Sequence, residues 1–152
     1  MFADAGLRVS GGHVRDGRET RIINVFAVIQ ENIMPDNKAL HRFFDALNRR
    51  DPEQIGSLLA EEADLYFPKT KTMRGKDQIL RFFKILFHLY PELLFQLEKT
   101  IIEGKTAAAH WKNRGKNRKG EPYNNEGITL FREGDKGPIV FMSDFFKDTE
   151  KF

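Results

Sequence analysis

The sequence predicts an α+β protein in which three helices cover the concave side of one curved, mixed or antiparallel sheet. The main observation is a change of hydrophobic period at Pro91: apolar residues recur three or four positions apart before it and alternate with polar residues after it. Turn signals at residues 103–105 and 133–137 divide the second half into antiparallel strands. Helices followed by a meander of strands are typical of an α+β domain.

Three helices are expected in the first half, and each has a start signal. Asp36 or Asn37 caps the first, Asp51 followed by Pro52 begins the second, and a polar loop at residues 69–75 leads into the third, which Pro91 stops. The buried sides are expected to be Leu40, Phe43, Phe44 and Leu47 in the first, Ile55, Leu58 and Leu59 in the second, and Ile79, Phe82, Phe83 and Leu86 in the third.

Five strands are expected around and after these helices. One covers residues 63–68 between the second and third helices, and four follow Pro91 at residues 93–102, 106–114, 123–132 and from about 139 onward. The last strand is apolar on both faces, so its outer face is expected to be buried against another surface. We expect a homodimer through the outer sheet face to supply that surface.

Size and composition favour one domain without disulfide bonds. A chain of 152 residues suits one core, which we place at residues 36–152, preceded by an N-terminal arm of uncertain order at residues 1–35. There are no cysteines and no apolar run of roughly 18 residues. The start of the chain lacks the pattern of a signal peptide. These features exclude thiol chemistry and predict a cytoplasmic protein with no membrane association.

The net charge of +3 comes largely from five basic residues within positions 112–119. They are expected at a hairpin tip, with no aromatic residue between them for stacking on bases. A nucleic-acid partner is therefore not expected, and a solvated tip is the simpler interpretation. The four histidines show no metal-ligand spacing, and no phosphate loop or dinucleotide motif is present. We expect neither a metal nor a cofactor.

One carboxylate stands out in the last strand. Alternation places Asp144 on one face with Met142 and Phe146, in a strand that is otherwise almost entirely apolar. A lone acid among hydrocarbon is costly unless it is paired, hydrogen-bonded or protonated. Asp144 is therefore either a satisfied structural group or an acid/base catalyst, and its residue type alone leaves both open.

The strand at residues 106–114 supplies the expected companions of Asp144. Ala107, Ala109, Trp111 and Asn113 share one face, where the alanines leave room and the indole forms a flat apolar wall. If Asp144 faces the same cavity, this set suits a small, largely apolar molecule with one or two polar groups. Asn113 would hold a carbonyl or hydroxyl, and Tyr66 would add a phenol. The alternative is that Trp111 is ordinary core.

Residues 40–51, 55–68 and 74–83 together resemble the nuclear transport factor 2-like superfamily of cone-shaped α+β barrels. Its members include ketosteroid isomerase, limonene epoxide hydrolase, scytalone dehydratase and SnoaL-like polyketide cyclases. The resemblance covers about residues 37–150 and implies the fold. It implies function less specifically, because this fold hosts enzymes as well as binding and scaffolding domains.

The resemblance does not carry over steroid-isomerase chemistry. Phe67 stands at the position of the general-base carboxylate, Phe43 at that of the oxyanion-hole tyrosine, and Thr129 near that of the second donor. Phenylalanine accepts no proton, so that mechanism is rejected. These three residues, with Ala109, Trp111, Tyr66 and Met142, are retained as candidates for ligand binding.

The stretch Met142-Ser-Asp-Phe-Phe-Lys147 is similar to the end of the limonene epoxide hydrolase barrel. Asp144 then falls on a catalytic carboxylate, whereas Trp111 and Asn113 replace the arginine and aspartate that assist it. The resemblance thus implies one catalytic carboxylate, Asp144, beside an amide. Two functions stay open: a cofactor-independent acid/base enzyme of the isomerase, cyclase, hydrolase or dehydratase type, and a non-catalytic barrel that binds a ligand or partner.

Overall fold

The computed structural model describes residues 37–150, in which three helices pack on one six-stranded mixed sheet. The helices are α1 (Asn37–Arg49), α2 (Pro52–Leu58) and α3 (Lys76–Leu89). The strands are β1 (Leu59–Tyr66), β2 (Met73–Arg74), β3 (Leu94–Glu103), β4 (Thr106–Lys116), β5 (Pro122–Glu133) and β6 (Ile139–Phe146). This is the predicted α+β fold. The predicted arm at residues 1–35 lies outside the described residues, and the domain boundary at residue 36 stays a prediction.

The buried side of α1 and the start of α2 agree with the sequence prediction. Leu40, Phe43, Phe44 and Leu47 of α1 are all buried, as their spacing predicts. The Asp51 carboxylate caps α2 by accepting a hydrogen bond from the Gln54 backbone N–H at 2.9 Å, and Pro52 occupies the first turn. No helix within residues 37–150 is both long and apolar enough to cross a membrane.

The sheet has the strand order β2-β1-β6-β5-β4-β3 and stays open, with β2 and β3 at its edges. Strands β3 to β6 form the predicted antiparallel meander, whereas β1 pairs with β6 in parallel. Two strand boundaries differ from expectation. β1 begins at Leu59 rather than residue 63, and β2 lies within the expected loop at residues 69–75. Both differences arise from pairing: Leu59 faces Ile139 of β6, and Met73 faces Leu65 of β1.

The predicted basic hairpin tip is shorter than expected. β4 extends to Lys116, so Lys112, Arg114 and Lys116 lie on the strand, and the turn begins at Asn117. The three lysine and arginine side chains project from the outer face of the sheet because Asn113, between the first two, is buried on the inner face.

The outer face carries an apolar band across β3 to β6. Ile101, Ile128 and Phe145 are exposed by 59%, 44% and 60%. Ile128 and Phe145 are direct cross-strand partners, and Ile101 pairs with Ala108, which in turn pairs with Leu130. Ile128 and Phe145 therefore adjoin each other across neighbouring strands, and Ala108 and Leu130 connect them with Ile101.

Candidate functional site

A small cavity lies between the helices and the inner face of the sheet. Its volume is about 30 Å³, which is room for one or two water molecules. Aromatic and aliphatic side chains from α1, α3 and the strands form most of its wall, and the polar side chains on that wall are Asn113, Thr129 and Asp144. The residues that the sequence groups around Asp144 thus share one small space.

Strand register brings these side chains together. Thr129 of β5 is the direct cross-strand partner of Asp144 on β6, and Trp111 of β4 faces Gly127 of β5. Asn113 lies two residues beyond Trp111, so both side chains point to the inner face. Positions that are 15 or more residues apart in the chain therefore meet because three antiparallel strands are adjacent.

Hydrogen bonds link Trp111, Thr129 and Asp144 in a chain with a fixed direction. Trp111 Nε1 donates to Thr129 Oγ1 at 2.9 Å, and Thr129 Oγ1 donates to Asp144 Oδ1 at 2.5 Å. The indole N–H is only a donor, so the threonine oxygen must accept from it. The single hydroxyl proton of Thr129 is then free to point at the carboxyl group, which it holds in place.

Asp144 is partly buried, and its carboxyl group is poised to exchange a proton near neutral pH. Desolvation by burial raises its pKa to about 7, and the hydrogen bond from Thr129 opposes that rise. A group whose pKa lies near the working pH suits general acid/base catalysis. Perturbed pKa values of this kind also concentrate at functional sites.

Asn113 is the second polar group on the cavity wall. It is 5% exposed, and its side-chain oxygen Oδ1 has no hydrogen-bond partner among the described residues. A buried acceptor without a partner costs about 1–3 kcal/mol. The position of Asn113 therefore suits a bound donor, such as the hydroxyl group of a ligand or a water molecule.

The other sequence candidates divide into those that line the cavity and those that do not. Phe43, Phe67 and Met142 line it together with the polar residues. Ala109 shares the face of Trp111 but is fully buried in the core and does not reach the cavity. The expectation that Tyr66 adds a phenol to this site is corrected. Leu65 is the residue of β1 on the wall, so Tyr66 projects to the opposite face, where it packs on Phe141 and is 42% exposed.

Aromatic rings explain why the cavity is small despite the alanines of β4. Phe131 stands opposite Ala107, and its ring packs on Phe43 and Phe44 at centroid distances of 5.2 and 6.4 Å. These rings occupy the space that the short side chains leave. The alanines were expected to leave room for a ligand, whereas neighbouring rings take up that space and the remaining void is much smaller than a ligand.

Sequence reasoning missed Phe95 and Phe146 as parts of this site. Their rings flank Trp111 at centroid distances of 5.3 and 6.0 Å, and both line the cavity. The alternation that places Asp144 inward also places Phe146 inward, and the alternation of β3 does the same for Phe95. Both signals were available in the sequence. Within residues 37–150, no group of three or more His, Asp or Glu side chains is arranged to hold a metal ion.

Solved structures of low sequence identity share this fold. An NTF2-like protein of unknown function from Exiguobacterium sp. 255-15 is 22% identical, with 73% of this chain and 99% of that one covered and a TM-score of 0.65. A putative SnoaL-like polyketide cyclase from Jannaschia sp. CCS1 is 20% identical, with coverages of 72% and 83% and a TM-score of 0.66. A putative ketosteroid isomerase from Kribbella flavida DSM 17836 is 21% identical, with coverages of 74% and 77% and a TM-score of 0.59.

Sequence comparison gives the family directly. No curated protein matches the chain significantly. Residues 40–142 match the profile of the SnoaL-like domain, which is well over half of the chain. That match and the shared fold confirm the resemblance to the nuclear transport factor 2-like superfamily. This chain belongs to the SnoaL-like domain family.

Proposed function

We propose that the protein binds a small, largely apolar molecule at the cavity and that Asp144 acts on it as a general acid/base. The observation that carries this proposal is the hydrogen-bonded chain from Trp111 through Thr129 to Asp144, which orients one carboxyl group on an apolar wall. Family membership supports a ligand-binding or cyclase/isomerase-type role.

The roles of the residues follow from their positions. Asp144 takes a proton from the ligand, or returns one, because its carboxyl group titrates near neutrality. Asn113 Oδ1 accepts a hydrogen bond from a ligand hydroxyl and thereby orients it. Trp111, Phe67 and Phe43 form the apolar walls, and Met142 completes the surface beside Asp144. Isomerisation and cyclisation both need such a proton transfer, and neither needs a cofactor for it.

Ligand entry requires side-chain movement. A void of about 30 Å³ holds one or two water molecules, whereas ligand sites usually measure about 300–1,000 Å³. Rotamer changes at a binding site are common when a ligand binds. The phenylalanines on the wall are the groups that must move, and Phe67, whose ring lies 5.1 Å from that of Phe146, is the first candidate.

The small void also favours a second candidate, a non-catalytic barrel in which Asp144 is structural and Trp111 belongs to a filled core. Trp111 is the only tryptophan of the chain, so its fluorescence reports on this space alone. We would titrate the protein with terpenoids, steroids and hydroxylated aromatic compounds and follow that emission. Saturable quenching by one class supports the cavity, and a blue emission without any response supports the filled core.

Catalysis is separated from binding by Asp144→Asn, which keeps the acceptor for Thr129 and removes the ionisable group. With a ligand class identified, we expect the variant to bind it but to lose turnover. Unchanged turnover would remove Asp144 from the mechanism. Phe145→Tyr, on the outer face of the same strand, is the matched control and should retain activity.

We also propose that the protein forms a homodimer through the outer sheet face. The support is the apolar band formed by Ile101, Ile128 and Phe145, with Ala108 and Leu130 beside them. Contiguous exposed apolar side chains are typical of protein–protein interaction sites.

A further inference from the structure

The cavity carries only one sign of charge. Among the described residues that line it, Asp144 alone has an ionisable side chain, and lysine, arginine and histidine are all missing from the wall. An anionic ligand would give up its hydration there without gaining a counter-charge, which is costly in an apolar space. The cavity therefore disfavours anions and leaves neutral and cationic molecules as candidates.

Asp144 has no counter-charge among the described residues. Within residues 37–150 its carboxyl group takes part in one hydrogen bond, from the neutral Thr129 hydroxyl to Oδ1, and Oδ2 has none. No lysine, arginine or histidine in that range forms an ion pair with it. Burial raises its pKa to about 7, and the Thr129 hydrogen bond is all that opposes this rise. A cation bound beside Oδ2 would stabilise the ionised carboxylate.

Asn113 is a second acceptor that lacks a donor. Its side chain is 5% exposed, and its Oδ1 has no hydrogen-bond partner in the described part of the chain. Neighbouring atoms enclose this oxygen, so a ligand reaches it only with the side-chain movement that ligand entry already requires. An ammonium group has up to three N–H donors, whereas a hydroxyl group has one. A wall with a carboxylate and an unpartnered amide oxygen therefore suits an ammonium group better.

The apolar part of the wall also suits a cation. Seven of the residues that line the cavity are aromatic, among them Trp111 and the rings of Phe95 and Phe146 that flank it. The faces of aromatic rings are electronegative and bind cations, tryptophan most strongly, and the attraction grows when the site is desolvated. The rings thus add to the attraction that the Asp144 carboxylate exerts on a positive group.

The size of the void matches a charged head group. Its volume of about 30 Å³ is room for one or two water molecules, and an ammonium group is about as large as one water molecule. The charged end of a ligand therefore fits the void as it stands. The apolar remainder needs the movement of Phe67 or of a neighbouring ring.

We infer that the cavity binds the ammonium group of an apolar amine, with Asp144 as its counter-ion and Trp111 as an aromatic wall. The inference rests on the proposed function and narrows its ligand class from apolar molecules in general to amines. Binding of the amine and protonation of Asp144 then exclude each other, because the neutral carboxyl group offers no counter-charge.

The first test uses three probes with the same phenylethyl body: 2-phenylethylamine, 2-phenylethanol and 3-phenylpropanoate. Calorimetry at pH 8 gives their dissociation constants, and the indole N–H signal of Trp111 in a ¹H–¹⁵N spectrum locates the binding, because the chain has a single tryptophan. We expect the amine to bind about tenfold more tightly than the alcohol, as one charge-assisted contact predicts, and the acid not to bind. In Asp144→Asn the amine and the alcohol should bind equally.

The second test is the dependence of amine binding on pH. The pKa of Asp144 is about 7, and no other residue on the described wall titrates. Below pH 7 the ionised fraction of Asp144 falls about tenfold per pH unit, and the affinity for the amine should fall with it. Binding at pH 6 should release about one proton, measured by calorimetry in two buffers of different ionisation enthalpy. The affinity for 2-phenylethanol should not follow this pattern.

Asp45→Asn is the matched control, because it changes the net charge by the same amount at an exposed position of α1. It should leave all three affinities and their pH dependence unchanged. Equal affinity for the amine and the alcohol in the wild-type protein would overturn the inference. So would an amine affinity that does not change between pH 5 and pH 7, tighter binding of the acid, or no binding of the amine at millimolar concentration.

These outcomes are separate from those of the acid/base proposal. Asp144-dependent binding of the amine, with turnover of an identified substrate unaffected by Asp144→Asn, would overturn the acid/base proposal alone. Turnover of a neutral substrate that is lost in Asp144→Asn, together with equal affinity for the amine and the alcohol, would overturn the amine inference alone.

Discussion

Thr129 and Asp144 face each other across β5 and β6, and the threonine hydroxyl donates a hydrogen bond to Asp144 Oδ1 at 2.5 Å. The oxygen of the same hydroxyl accepts a hydrogen bond from the Trp111 Nε1–H. Thr129 therefore connects the indole wall of the cavity to its carboxyl group. Its residue type matters because a donor with one proton and two lone pairs is needed to make both bonds.

Replacing Thr129 by valine should raise the pKa of Asp144 above its wild-type value of about 7. The hydrogen bond from Thr129 lowers that pKa, and valine keeps the shape of threonine but cannot donate. Trp111 Nε1 loses its acceptor in the same variant, so we also expect a loss of about 1–3 kcal/mol in the free energy of unfolding. Carboxyl ¹³C shifts during a pH titration measure the first effect, and urea denaturation measures the second.

Thr129→Ser is the control for that experiment, because serine restores the hydroxyl while removing a methyl group. It should bring the Asp144 pKa back towards the wild-type value. A valine variant with an unchanged Asp144 titration would show that the hydrogen bond does not stabilise the ionised carboxylate.

The stability of the fold should depend on pH through Asp144. Its pKa is raised from 3.8 to about 7 by burial, so between these values the folded state holds a proton that the unfolded chain has lost. The stabilisation from this group is fully present below about pH 4 and is lost as the pH rises through 7. At 1.36 kcal/mol per pKa unit, the loss amounts to roughly 4 kcal/mol.

Asp144→Asn isolates this contribution, because asparagine has no proton to lose. We expect the variant to match the wild type within about 1 kcal/mol at pH 4 and to be the more stable protein at pH 8, by roughly 2–4 kcal/mol. Urea unfolding at both pH values gives the comparison. A difference between the two proteins that stays constant with pH would contradict the raised pKa.

Gly127→Ala should disrupt the packing of Trp111. A Cβ atom at Gly127 would lie 2.5 Å from the Phe145 carbonyl oxygen and 2.7 Å from the Trp111 ζ2 carbon. Neither is the end of a flexible side chain, so one strand or the indole must shift. We expect a loss of about 1–3 kcal/mol and a changed tryptophan emission spectrum.

Gly104→Ala provides the comparison for Gly127. Gly104 has φ +55°, and an added Cβ would meet nothing within 4 Å. The free energy of unfolding should therefore fall only by the strain of the left-handed backbone, about 1–2 kcal/mol. Its emission should match the wild type. An unaltered tryptophan spectrum in Gly127→Ala would show that the indole does not need the glycine.

Phe145→Glu should convert the expected homodimer into a monomer. Phe145 is 60% exposed in the outer apolar band, and a charge there would be buried without a partner in a dimer. Light scattering after size-exclusion chromatography measures the mass. Ile85→Glu, at a residue of α3 that is 59% exposed, should leave the mass unchanged. A wild-type protein that is monomeric at high micromolar concentration would refute the dimer.

Much of the fold was predictable because its signals are local. The spacing of Leu40, Phe43 and Phe44 identified the buried side of α1, and all three are buried. Alternation along β4 placed Trp111 and Asn113 on one face, and both are buried there. Such patterns follow from the geometry of a single helix or strand, so neighbouring residues suffice to define them.

The site needed information from distant parts of the chain. Alternation in β1 alone does not say which face is inward, and only the pairing of Leu65 with Met142 in β6 assigns Tyr66 to the outside. The two-residue strand β2 exists because β1 provides a partner for it. The size of the cavity depends on the rings of Phe43 and Phe131, which come from different elements.

By itself, the sequence determined the α+β class, the helical faces and which residues share a strand face, Trp111 with Asn113 and Asp144 with Met142 and Phe146, since helical and strand periodicity are properties of contiguous residues. The tertiary structure alone decided that Thr129 links Trp111 to Asp144, that Asn113 Oδ1 is left without a partner in the described range, and that a void of only about 30 Å³ remains. Those features depend on strand register and on side-chain packing between elements far apart in the chain, which no local pattern encodes.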